Sequence, residues 1–126
     1  MPRRKRNPNQ FTTDEAQTAT LIYAEGAFVC SREIRDKYRY AYPMIEIRMC
    51  AKEGLEPASR VFGTKIRAIR TKTIECPPEL FPPDGKGRWG SSCERGDSTK
   101  AIQRLAPLIP EYHKQKWRKL LERCRP

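Results

Sequence analysis

Apolar residues change period several times along this chain, and each change marks an element. Ala16, Ala19, Leu21, Ile22 and Ala24 recur at helical spacing behind Thr12-Thr13-Asp14-Glu15. That tetrad is a capping box, with Thr12 as N-cap and Glu15 reaching back to it. The pattern predicts a helix from about Thr13 to Glu25, closed by Gly26 as a left-handed C-cap. Period two follows. Phe28 and Cys30 fall on one face of a strand from Ala27 to Arg35, with Val29 and Ser31 on the other. After a charged turn over Arg35 to Arg39, Tyr40 to Met49 alternates again, with Ile45, Ile47 and Met49 set against Met44, Glu46 and Arg48. Pro43 in that run implies an edge or unpaired position.

Lys52 to Phe62 reads as a short helix with Leu55, Ala58, Val61 and Phe62 inward and Gly63 at its end. Pro57 then marks an early turn, where proline is tolerated. Lys65 to Thr73 is a third strand, and the proline-rich Ile74 to Gly87 a loop. Arg88 to Cys93 is a fourth strand around Trp89. A helix starts at Ser98, capped by Asp97 or Ser98, and Pro107 and Pro110 break it. Glu111 to Cys124 closes the chain as an amphipathic helix carrying Trp117, Leu120, Leu121 and Cys124 on one side. The sum is an α+β chain in the order helix, two strands, helix, two strands, helices, with no internal repeat.

Length adds one constraint: 126 residues suit one domain, here residues 11–126, behind a basic arm at residues 1–10. That arm, with Arg3 to Arg6 and two prolines, reads as disordered. It is a phosphate-contacting tail, a nuclear import signal or a solvated terminus. Charge changes the picture more. Lys plus Arg number 26 against 15 acids, a formal net charge of +11, which favours a polyanionic partner over simple solubility. Nucleic acid fits better than a membrane, because no apolar run approaches the roughly 20 residues that span a bilayer. No signal peptide is visible, so the expectation is an intracellular protein of unspecified compartment. Five dispersed cysteines, without a CxxC pair and with one histidine, argue against structural zinc. They suit a reducing compartment, where most are small buried hydrophobes.

The stretch Thr18 to Gly26 resembles the signature helix of the LAGLIDADG homing endonucleases. Ala19, Leu21, Ile22, Ala24 and Gly26 match its pattern, and Glu25 falls on its acidic, metal-binding position. Thr18, Thr20 and Tyr23 depart from it, Thr20 remaining small. Tyr42-Pro43 with Ile45-Glu46-Ile47, Leu55 to Gly63, Trp89, and Leu105-Ala106-Pro107-Leu108 before Lys114-Gln115 look like later parts of the same family. The resemblance covers about Phe11 to Cys124. It implies an antiparallel four-stranded DNA-binding sheet with helices on one face.

The resemblance also implies a function: a sequence-specific endonuclease that hydrolyses double-stranded DNA with divalent metal. With one signature helix, the chain is expected to be a homodimer, and its small stripe Ala16, Thr20 and Ala24 would let two helices touch across a two-fold axis. Two Glu25 carboxylates would then meet and call for a hard cation, Mg²⁺. Val29, Ser31, Glu33, Met44, Glu46, Arg48, Lys65, Arg67 and Arg70 are the expected DNA contacts. The family often carries a lysine at the position of Tyr112; Lys114 is the expected substitute, with His113 and Lys116 nearby. No small-molecule substrate and no membrane partner are expected. The alternative on this scaffold is a non-cleaving DNA-binding regulator or an RNA-splicing maturase, and a further one is a basic RNA-binding protein without sequence preference.

Overall fold

The computed structural model describes residues 10–49, 51–70 and 87–124. The basic arm up to Asn9, Cys50, the segment from Thr71 to Lys86 and the last two residues lie outside it.

The chain is α+β, with four α-helices and one antiparallel sheet of four strands among the described residues. Helix α1 spans Thr13–Glu25, strands β1 and β2 span Gly26–Arg35 and Tyr38–Met49, and helix α2 spans Glu56–Phe62. Strands β3 (Arg67–Arg70) and β4 (Gly87–Glu94) precede helices α3 (Arg95–Leu105) and α4 (Glu111–Arg123). The strands lie in the order β1-β2-β4-β3.

The capping box forms. Thr12 Oγ1 accepts from the Glu15 N–H at 3.1 Å, and Glu15 Oε1 accepts from the Thr12 N–H at 3.0 Å. The other end of α1 differs from expectation. Gly26 has φ −84° and ψ 158°, so it is extended rather than left-handed, and it opens β1 without a connecting turn. Glycine is required there for another reason: a Cβ would overlap the Ile22 carbonyl oxygen, to which the Gly26 N–H also donates. Gly63 does supply a left-handed close, for α2, at φ 67°.

Strand β2 starts at Tyr38, two residues early, and is interior instead of an edge. Pro43 is tolerated because it stands where β2 has one neighbour. It faces Cys30 of β1, while pairing to β4 begins only at Met44 opposite Glu94. Lys52–Leu55 is a 3₁₀-helix that runs into α2, and Pro57 sits in the first turn of α2, where its missing N–H breaks no bond. Helix α3 begins at Arg95, three residues early, without a side-chain cap from Asp97 or Ser98. Ser98 is buried and donates to the Arg95 carbonyl instead.

One face of the sheet carries the core. Ile45 and Ile47 of β2 are fully buried against Ala19 and Ile22 of α1, Leu55 and Ala58, Leu105 of α3 and Trp117 of α4. Trp117 meets Phe28 edge-on, with ring centroids 5.2 Å apart. Leu121 is exposed, outside that apolar side. Cys30 and Cys124 were expected as separate buried hydrophobes; they form a disulfide, Cα–Cα 5.5 Å, that ties the end of α4 to β1.

Candidate nucleic-acid interface

Helix α1 sorts its residues cleanly. Glu15, Thr18, Ala19 and Ile22 are buried, whereas Ala16, Thr20 and Ala24 are exposed. The small-residue stripe is therefore left exposed by the described residues. A groove of about 580 Å³ runs beside it, walled by Ala16, Thr20, Leu21, Met49 and Pro57. Thr20 Oγ1 donates to the Ala16 carbonyl at 3.0 Å, which folds the hydroxyl back onto the helix and leaves its methyl outward. Glu25 ends the stripe. It is exposed, and no hydrogen bond or ion pair engages it among the described residues.

Among the described residues, the helices pack on the face of the sheet that carries Ile45 and Ile47, and none covers the second face. The register sets Val29 opposite Met44, Ala27 opposite Glu46 and Ser31 opposite Tyr42, and β4 carries Gly90 between Arg48 and Arg67. Val29, Ser31, Glu33, Met44, Glu46, Arg48 and Arg67 thus share one face. Arg70 ends strand β3. Lys65 precedes β3 and lines, with Arg67, Arg95 and Lys100, a cleft of about 470 Å³ at the sheet's end.

The charges of this face are partly self-neutralised. Arg48 Nε donates to Glu46 Oε1. Glu33 accepts from the Tyr42 hydroxyl at 2.8 Å and pairs with Arg35 at 3.1 Å. The Tyr42 hydrogen bond, with Arg35 and Arg95 nearby, holds the Glu33 carboxyl below its usual range. Arg95 covers the Tyr42 ring at 4.7 Å from a backbone φ of 57°. Sequence reasoning passed over Tyr38, Tyr40 and Tyr42. The first two are exposed on this face, and the signal was the period-two pattern continuing back into the charged turn.

Helix α4 separates the residues expected near the cut. Lys114 is engaged by Glu111 at 3.3 Å, and Arg118 pairs with the same carboxylate at 2.9 Å. These two partners hold the Glu111 carboxyl below its usual range, Arg118 foremost. His113 and Lys116, not Lys114, line the cleft beside Gly26. Tyr112 is exposed, with the Lys116 ammonium over its ring at 4.6 Å.

Among the described residues, no group of three or more His, Cys, Asp or Glu side chains stands together as a metal site, and no helix is long and apolar enough to cross a membrane. Comparison of the chain with protein families, curated proteins and solved structures returned no match.

Proposed function

We propose that the protein is a homodimeric, Mg²⁺-dependent, sequence-specific endonuclease of double-stranded DNA, as its resemblance to the LAGLIDADG family implies. One observation carries the reading: α1 leaves Ala16, Thr20 and Ala24 uncovered, ends on the unengaged carboxylate of Glu25, and runs directly into an open-faced sheet. Small residues four apart allow two helix backbones to approach. A two-fold pairing along this stripe would bring two Glu25 side chains toward one another at the sheet-proximal end of the helices.

One carboxylate per chain is a sparse donor set, and it fits Mg²⁺, which binds through one or two carboxylates together with substrate phosphates and water. When bound, the ion would supply activation of water and stabilisation of the leaving oxygen in phosphodiester hydrolysis. Glu25 would hold it. Val29, Met44, Arg48 and Arg67 would lie in the major groove, which admits β-ribbons, with the arginines reading guanine edges. The net charge of +11 would draw the duplex to that face.

The test pairs binding with cutting. Purified protein is incubated with a randomised duplex library, with and without Mg²⁺, and the cut ends are sequenced. Glu25→Gln should bind the selected site with near-normal affinity and leave it intact. Full cleavage by that variant removes Glu25 from the reaction.

A second reading has its own support. Lys114 is occupied by Glu111, and Tyr112 stands where the family often has lysine. On that reading the scaffold is a non-cleaving DNA-binding regulator, and the same library yields bound but never cut duplexes.

A further inference from the structure

Helix α4 carries two kinds of cation. Lys114 and Arg118 share the Glu111 carboxylate. Lys116, Lys119 and Arg123 stand on another side, at i, i+3 and i+7, and form no ion pair among the described residues. They wall a cleft of about 500 Å³ with His113, Tyr23 and Phe28, and no carboxylate lines it. Arg123, in the last turn, suits the negative helix C-terminus. That argument does not reach Lys116, near mid-helix, so the whole row calls for another partner.

The cleft is also held firmly. The Cys30–Cys124 disulfide ties the end of α4 to β1, and Arg32 Nη2 donates to the Arg123 carbonyl at 3.4 Å. Gly26 and Ala27 form the opposite wall, so the cleft adjoins the α1–β1 junction without including Glu25. Uncompensated cations on a rigid helix repel one another, and an anion between them removes that repulsion.

We infer that this cleft is a backbone clamp that binds nucleic-acid phosphates through Lys116, Lys119 and Arg123. It rests on the proposed DNA binding and is independent of cutting. Positions 116 to 123 span roughly 10 Å of helix axis, enough for more than one phosphate. Phosphate contacts of this kind position the duplex and carry no sequence information.

The experiment measures affinity for a duplex DNA pool by fluorescence anisotropy over a range of salt, with EDTA present. It compares the full chain, Lys116→Gln/Lys119→Gln, and Arg60→Gln, which neutralises an exposed arginine of α2 outside this cleft. Far-ultraviolet circular dichroism checks that each variant is folded. Each phosphate contact contributes about 0.9 to the slope of log K against log salt. The double variant should therefore lose about 2 from that slope, equally for all sequences, while Arg60→Gln keeps the wild-type slope. An unchanged slope in the folded double variant overturns the clamp, as does an equal loss per charge in Arg60→Gln. If inorganic pyrophosphate shifts the His113 imidazole resonance while the DNA slope stays fixed, the cleft takes a free phosphate and the inference falls. Cleavage in Mg²⁺ is scored separately. A lowered slope without wild-type cutting keeps the clamp and removes the nuclease; cutting with an unmoved slope does the reverse.

Discussion

Glu15 and Arg104 join α1 to α3: Arg104 Nε donates to Glu15 Oε2 at 2.8 Å, while the other oxygen of the same carboxylate caps α1. Arg104 Nη2 also donates to the Gln10 carbonyl at 2.6 Å, and its guanidinium lies over the Phe11 ring at 4.4 Å. The Glu15 side chain is only 10% exposed, so its charge depends on this partner.

Glu15→Ala removes a helix cap and leaves Arg104 with a poorly solvated charge. It should lower stability by about 3 kcal/mol, as breaking one side of a buried pair does. Urea denaturation of variant and parent checks this. Glu15→Gln keeps the cap's acceptor oxygen and should cost less.

Gly26→Ala places a methyl on the Ile22 carbonyl at the α1–β1 junction. Relief requires the helix end or the strand start to move, at roughly 1–3 kcal/mol. The φ of −84° suits alanine, so any loss measures the overlap alone. An unchanged melting temperature would contradict the close approach.

Three carboxyls sit below their ordinary range: Asp14 beside Arg60, Glu33 beside Tyr42, and Glu111 beside Arg118 and Lys114. A lowered folded value means that the contribution is complete above the ordinary values of 3.8 and 4.5 and is lost as pH falls through the lowered ones. The melting temperature should hold from neutral pH to about 5 and then fall. High salt should flatten that fall, since the pairs are exposed. Arg60→Ala should shrink the part due to Asp14, whose carboxylate it grips with two bonds of 2.8 and 2.9 Å.

Thr20→Leu tests the helix pairing. Thr20 is exposed in the chain, so the monomer fold should survive, while overpacking should weaken the dimer by roughly 1–3 kcal/mol. Sedimentation equilibrium reads both. A parent protein that sediments as a monomer, with and without DNA, ends the pairing proposal.

Elements set by local chemistry could be read from the sequence. Thr12 and Glu15 are three residues apart and need only each other to start α1, so the start of that helix was placed correctly, whereas the extended Gly26 that ends it was not foreseen. The alternation of Ile45 and Ile47 with Met44 and Arg48 fixed which face of β2 is buried, because burial of one face enforces period two. What failed depended on distant partners. Cys30 and Cys124 lie 94 residues apart, and only the packing of α4 on β1 brings them together. The pairing of Lys114 with Glu111, one helical turn back, is a local contact that the helical spacing permits. The stripe Ala16, Thr20 and Ala24 was legible as a stripe, and its exposure required the fold.

The disulfide between Cys30 and Cys124 closes the polypeptide between them into a covalent ring. Strands β2, β3 and β4 and helices α2, α3 and α4 all lie inside the ring, while α1 lies in the tail before it. A protease cut anywhere between those two cysteines opens the ring without releasing a piece. The nicked molecule runs as one band until a thiol reductant divides it in two. Helix α1 is the one helix that a single cut, made after Glu25 and before Cys30, can free from the rest of the chain.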